Sequence, residues 1–275
     1  MKEGIKMNIQ KVNAAEVKPV KVTEQKQDYG YLWKEDKDII DANVKYAAER
    51  NKKLHDEEVK KFQTQLQDAK ESADIFKKMG IEADKDENGK LTISHYNQPS
   101  QRVTFADLGV DEEKLMENVK EVKGDANFQR TSLKTIDGVE KVGGTVNLIG
   151  TTVKSMKNLK EIGGVAQMND SLIEDLSSLK SVGAMANLSR TKVTELPALE
   201  KVEGNLDLQD SPITSMPNLK KVKGDVNIIN TNMKKEDVKA EVGGKVKDKK
   251  EPTVPITGNY DYLWDNTDRV EHNKK

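Results

Sequence analysis

From residue 122 to residue 242 the chain repeats itself every twenty positions. Val122, Val142, Ile162, Val182, Val202, Val222 and Val242 form one apolar column. Two places on, Gly124, Gly144, Gly164, Gly204, Gly224 and Gly244 form a glycine column, interrupted only by Ala184. Phe128, Leu148, Met168, Leu188, Leu208 and Ile228 form a third, and no residue is inserted or lost between them. A fixed period of this length restricts the chain to a solenoid, in which each repeat is covered by its neighbours. One repeat cannot stand alone, because ordering its residues costs roughly 1.5 kcal/mol apiece.

Residues 197–216, PALEKVEGNLDLQDSPITSM, make up one such repeat. Leu199, Val202, Leu206, Leu208, Ile213 and Met216 are its inward positions. After Gly204, Leu206 and Leu208 alternate with Asn205, Asp207 and Gln209, the pattern of a strand with one buried face. Ser211 continues a hydroxyl column through Thr131, Thr151, Ser171, Thr191 and Thr231. Such hydroxyls are expected to bond the backbone of neighbouring coils.

The stretch LPALEKVEGNLDLQDSPITSMPNLKKVKGDVNI resembles leucine-rich repeats, and its Leu-x-x-Val-x-Gly-x-x-x-Leu also resembles the receptor L-domain. The resemblance implies a right-handed solenoid of parallel strands. A three-faced β-helix is the alternative, since no helical segment is needed within the period. The fold class expected is mainly β, with a helical segment before the repeats. Two departures matter. Ser and Thr stand where a leucine-rich repeat closes its strand with asparagine, and the cysteines of extracellular L-domains are absent. No receptor activity is carried over.

The chain as a whole divides into four parts. Residues 1–37 read as a polar, extended or disordered tail. Residues 38–120 read as a cap for the first coil. Within them Val59, Phe62, Leu66, Ala69, Ala73 and Phe76 follow helical spacing up to Gly80. That stripe is expected to pack on the solenoid, with a short coiled coil as the alternative. Asn88-Gly89 predicts a hairpin with a type I′ turn. Asp84, Asp86, Asn88 and Gly89 also match the start of a calcium loop, but its twelfth place is His95 instead of glutamate. Asp111 to Val119 predicts a short helix with an acidic first turn. Residues 121–246 are the solenoid of about six coils, in which Glu236 marks an atypical last coil. Residues 247–275 are a charged linker and tail.

Both tails carry the same aromatic motif. Tyr29, Tyr31, Leu32 and Trp33 stand in YGYLW, and Tyr260, Tyr262, Leu263 and Trp264 in YDYLW. These are the only two tryptophans of the chain. Tyr and Trp give large contact area for few rotors, so the motifs read as partner-docking elements. The alternative is that the tails pack on the solenoid or on each other. A second candidate surface is the outward row Asn127, Asn147, Gln167, Asn187, Asp207 and Asn227, either a ligand face or a ladder of amides bonding to one another.

Composition narrows the function. Aromatics make up 4% and charged residues 34%, which disfavours a compact enzyme of 275 residues. A net charge of −1 gives no overall pull toward nucleic acid. There is no cysteine, so neither disulfides nor thiolate metal sites exist. His55, His95 and His272 lie in separate segments without ligand spacing. No catalytic residue, metal or cofactor is therefore expected. No apolar run is long enough to span a membrane, and the polar start predicts a cytoplasmic protein or secretion without a classical signal. The expected partner is a protein or peptide. An assembly protein whose tails link copies is the second expectation, and an effector resembling bacterial leucine-rich-repeat effectors the third.

Overall fold

The computed structural model describes residues 34–249. It is mainly β, with helices ahead of a parallel-strand solenoid. Among the described residues, no helix is long and apolar enough to cross a membrane.

Helix α1 spans Lys34–Leu66 and α2 spans Ser72–Lys78. Helical spacing over about Asp38 to Met79, interrupted at Asn51, predicts this segment; the helix instead begins at Lys34, passes through Asn51 unbroken and is cut at 67–71. Gly80 ends α2 at φ 79°, where the Ile81 N–H reaches back to the Phe76 carbonyl at 2.9 Å. Of the predicted stripe, Leu66, Ala69 and Phe76 are buried, while Val59, Phe62 and Ala73 are half-buried.

Strands β1 (Ala83–Lys85) and β2 (Leu91–Ile93) form the expected hairpin. Its turn is not type I′, because only Gly89 has positive φ, at 77°. Asp86 is the reason. Its Oδ1 accepts the N–H of Asn88 at 2.9 Å and of Lys90 at 2.8 Å, and its carbonyl accepts the Gly89 N–H at 3.0 Å. A side chain that caps the loop this way stabilises a longer turn with one left-handed residue. The predicted short helix is α3 (Glu112–Met116), capped by the Asp111 carboxylate on the Lys114 N–H.

The solenoid has two strands per coil. The first is β3 (Val119–Val122), then β5 (Lys141–Val142), β7 (Glu161–Ile162), β9 (Ser181–Val182), β11 (Lys201–Val202), β13 (Lys221–Val222) and β15 (Glu241–Val242). The second is β4 (Ala126–Asn127), β6 (Val146–Asn147), β8 (Ala166–Gln167), β10 (Ala186–Asn187), β12 (Leu206–Asp207), β14 (Val226–Asn227) and β16 (Val246–Lys247). The first set joins β1 and β2 in a nine-stranded sheet, and the second makes a seven-stranded sheet. We call them the valine sheet and the amide sheet. On a third side, single bridges join Thr135 to Ser155, Ser155 to Asp175, and Glu195 to Ser215. The sequence pattern had marked only the second strand, because the first shows a single inward residue.

All inter-coil pairs shift by twenty residues, as in Val142↔Ile162 and Asn147↔Gln167. One coil's Val142, Val146, Leu148, Val153, Met156 and Leu159 are all 0% exposed. The predicted inward set Leu199, Val202, Leu206, Leu208, Ile213 and Met216 is likewise buried. At the glycine column the backbones themselves touch. The Gly164 N–H donates to the Gly144 carbonyl at 2.9 Å. A Cβ on Gly164 would lie 2.8 Å from the Gly144 carbonyl carbon.

The hydroxyl column works differently from expectation. The Thr151 hydroxyl donates to the Leu148 carbonyl of its own coil at 2.8 Å, and the Thr151 N–H donates to the same oxygen at 3.0 Å. Ser171, Thr191, Ser211 and Thr231 repeat the hydroxyl bond to Met168, Leu188, Leu208 and Ile228. Between carbonyl and hydroxyl lies a left-handed residue: Gly150, Asp170, Arg190, Asp210 or Asn230, with φ from 54° to 67°. The hydroxyl therefore clamps a tight corner, and its partner is near in sequence because the corner folds the chain back on itself.

The two ends differ. At the start, β2 pairs with β3 and Tyr96 bridges to Ala126, so the hairpin strand substitutes for a preceding coil. At the end, a 3-10 helix at Lys235–Asp237 replaces the third side, and Glu236 is exposed where Met216 is buried. We predict that Gly164→Val lowers stability by about 1–3 kcal/mol through backbone displacement. Ala184→Gly, where one methyl is already accommodated, should change it by under about 1 kcal/mol. Urea denaturation of both variants checks this.

Candidate functional site

The amide sheet brings the predicted row together. Asn127, Asn147, Gln167, Asn187, Asp207 and Asn227 are the second residues of β4, β6, β8, β10, β12 and β14, paired in register. All are half-buried. They are not a ladder of amides bonded to one another. Each Oδ1 of Asn127, Asn147, Asn187, Asp207 and Asn227 accepts the backbone N–H two residues on, at 3.0 to 3.2 Å. Local side-chain-to-backbone bonding of this kind is an Asn and Asp habit at strand ends. Gln167 has one methylene too many to make the same closure. One inter-coil bond does occur, from Asn227 Nδ2 to Gln209 Oε1 at 3.2 Å.

The consequence for the surface is directional. At Asn147 and Asn187 the Oδ1 is engaged by the strand's own backbone, so it is the amide N–H groups that are left to serve as donors. Beside them Thr145, Val165, Met185 and Asn205 form one outward column, and Ile149 and Asn169 lie along the other side, where Ser189 is buried. Met185 is 37% exposed. The middle of this face carries no ionisable group. Charge returns at its two ends, in Asp125 at one and in Asp207, Asp225, Lys245 and Lys247 at the other.

The valine sheet presents the opposite character. Lys141 pairs with Glu161 at 3.6 Å and Lys221 with Glu241 at 2.9 Å. Glu203 lies between Lys201 and Lys223 and bonds both. Those two ammonium groups hold the Glu203 carboxyl below its ordinary range. Where Ser181, Gly163 and Gly183 replace long side chains, a shallow depression of about 230 Å³ opens between Lys141, Glu161 and Lys201.

Along the left-handed corner runs a third ladder. Arg190 Nε and Nη2 donate to the two oxygens of Asp170 at 2.5 and 2.8 Å, and Asn230 donates to Asp210 at 2.7 Å. The Arg190 guanidinium, followed by the amide of Asn169, pulls the Asp170 carboxyl down to about 2. The Asp, Asn and Gly of this column were a signal for left-handed backbone. Arg130 and Arg190 in the same column obscured it.

The sequence reading also missed a buried carboxylate. Glu112 is 2% exposed. It accepts Tyr96 OH at 3.0 Å, Gln98 Nε2 at 2.6 Å, and the Ser132 N–H and hydroxyl at 2.6 and 2.5 Å. Burial alone would raise its pKa, but the bonds from Ser132, Gln98 and Tyr96 outweigh it and leave the group below its ordinary value. Tyr96 is driven well above 10 by burial, then by the charge and hydrogen bond of Glu112. Its ring stacks on Phe128 at 4.8 Å and Phe105 at 6.2 Å. Every donor is satisfied, and the group joins α3 and the hairpin segment to the first coil.

His55 Nδ1 bonds the Arg102 carbonyl at 3.0 Å, and His95 Nδ1 bonds the adjacent Ser94 hydroxyl at 3.0 Å. That hydroxyl also takes the Glu82 N–H across the hairpin. Among the described residues no group of three His, Asp or Glu side chains is placed to hold a metal ion. Tyr29, Tyr31, Leu32, Trp33, Tyr260, Tyr262, Leu263 and Trp264 lie outside the described residues, as does His272. Comparison with protein-family models, curated proteins and solved structures finds no match to this chain.

Two predictions follow from these networks. Glu112→Ala strands buried donors and should cost about 3 kcal/mol in urea denaturation. In the wild type, the Glu112 contribution is full above about pH 4.3, where the unfolded side chain is ionised. It disappears as pH falls through the lower folded value. Wild type should therefore lose more stability between pH 6 and pH 3 than Glu112→Gln does. For the corner ladder, NMR titration should place the Asp170 midpoint at about 2. In Arg190→Gln it should rise toward about 3.9 with little change in unfolding, since the pair is exposed.

Proposed function

We propose that the protein is a non-catalytic repeat scaffold that binds another protein or peptide on the amide sheet. The observation that carries this reading is the charge distribution on the two sheets. The valine sheet is covered by ion pairs between coils, whereas the middle of the amide sheet offers Val165, Met185 and Ile149 among amides, with charges only at its ends. An apolar and amide centre with a polar rim is the composition of a protein-binding patch. It is a poor match for a nucleic-acid backbone, which needs clustered Lys and Arg.

The two aromatic tail motifs are proposed as further docking elements on the same partner. Two linked contacts raise the effective concentration of the second once the first is made. The coil itself is best described as three-faced, on the strength of two parallel sheets and a bridge column per coil. Its hand is expected to be right, the usual hand of parallel crossovers.

Affinity selection from a cell extract, compared between variants, tests this. Val165→Lys with Met185→Lys should reduce partner capture at least tenfold without moving the thermal midpoint. Trp33→Ala with Trp264→Ala should reduce it too, and by more than either single change. Capture unaffected by the sheet pair would remove the amide sheet from the interface.

A further inference from the structure

A short tether joins the amide sheet to the second aromatic motif. The described chain ends at Lys249, which stands in the outward column of Ile149 and Asn169, on the amide face itself. Ten residues, KEPTVPITGN, separate Lys249 from Tyr260. The eleven steps between them span roughly 18 Å as a coil and about 36 Å fully extended.

The apolar centre of the face lies within that range. Met185 precedes β10 and Val165 precedes β8, three and four strands from β16 in the sheet. At about 4.8 Å per strand they are roughly 14 and 19 Å away along the stack, and the four residues between the outward columns add about 13 Å sideways. Both are then within roughly 25 Å of Lys249. A tether whose natural span matches the distance it must cover gives the highest effective concentration, on the order of millimolar.

The first motif has no comparable route. Trp33 directly precedes α1, whose polar contacts with the body begin at His55 and Glu58. Among the described residues, Asp41 through Lys53 are all exposed. The helix start at Lys34 thus stands roughly 30 Å from its first contact, on a stiff rod.

Motif and face also agree in chemistry. Laid extended along the strands, Tyr260, Tyr262 and Trp264 fall on one side, two residues apart, and the outward columns of the sheet have the same spacing. Asn147 and Asn187 have Oδ1 engaged by the backbone, so their remaining capacity is to donate. A tyrosine hydroxyl accepts such a bond. Met185 offers an exposed thioether to an aromatic ring.

We infer that the second motif, through Tyr260, Tyr262 and Trp264, occupies the amide sheet of its own chain around Val165, Met185 and Asn187 until a partner displaces it. The inference rests on the amide sheet being the recognition face proposed above, and adds how that face is regulated. The motif stands in for the partner and keeps the apolar centre covered. Once displaced, it is still tethered beside the partner and makes the second contact there.

Single-tryptophan forms of the full chain test this with no partner present. In Trp33→Phe, Trp264 should emit at short wavelength and resist acrylamide, unchanged on dilution. In Trp264→Phe, Trp33 should emit at longer wavelength and be quenched freely. Adding Val165→Lys and Met185→Lys to the first form should shift Trp264 to the red and restore quenching, with the thermal midpoint unmoved. Asn187→Asp should act in the same direction. It keeps an acceptor for the Ser189 N–H, as Asp207 does for Gln209, but has no amide donor. A freely quenched Trp264 overturns the inference, as does protection that survives the lysine pair, fades on dilution or is equal at Trp33. Partner capture is a separate readout. If the lysine pair abolishes capture while Trp264 is exposed throughout, the partner site stands and only the self-occupied state falls. If the lysine pair releases Trp264 but leaves capture unchanged, the partner site falls and the contact within the chain stands.

Discussion

The structure depends on backbone hydrogen bonds between coils, which form only if every coil returns to the same place after twenty residues. A parallel ladder tolerates no drift, since an error of one residue would turn the inward column to solvent. Closure within each coil is therefore as important as stacking between coils. It is achieved at the corner after the amide strand. There a left-handed residue reverses the chain, and a Ser or Thr hydroxyl locks the carbonyl three positions back. The Asn or Asp just before it ties off the strand by accepting its own downstream N–H. Both bonds are local, so each coil reaches its shape before its neighbours are counted.

Much of this was legible. The apolar columns named the core, because burial selects residue type at each inward position whatever the exact coil. The hairpin, α3 and the break at Gly80 were legible from turn and cap chemistry. What was not legible were features decided by tertiary geometry. The valine strand shows one inward residue between charged neighbours, too little for a period to register. The hydroxyl and amide columns were visible as columns, but sequence could not say whether each bonded along the stack or within its own coil. The geometry of the corner decided in favour of the second. Glu112 looked like an acidic residue of a helix start. Only the approach of Tyr96 and Gln98 from one segment and of Ser132 from another makes it a buried junction.

The candidate site shows the same division. The row Asn127 to Asn227 could be listed from the period, and the absence of charge across the middle of its face could be read with it. That the amides have their acceptor ends engaged by their own strand required coordinates. The contrast with the valine sheet also required them, because Lys201, Glu203 and Lys223 become one cluster only when successive coils are stacked.

The surface ion pairs have one more consequence. Inside the solenoid every coil is nearly the same, so a coil displaced by one full repeat would still bury its apolar residues. The outside is not repetitive. Lys157 faces Asp137, Lys160 faces Glu140 and Arg190 faces Asp170 in three different columns, and Lys154 faces Glu174 in a fourth with the charges in the opposite order. Individually these exposed contacts add little stability. Collectively they act as an address code, telling each coil which neighbour is its own in a chain whose core cannot tell them apart.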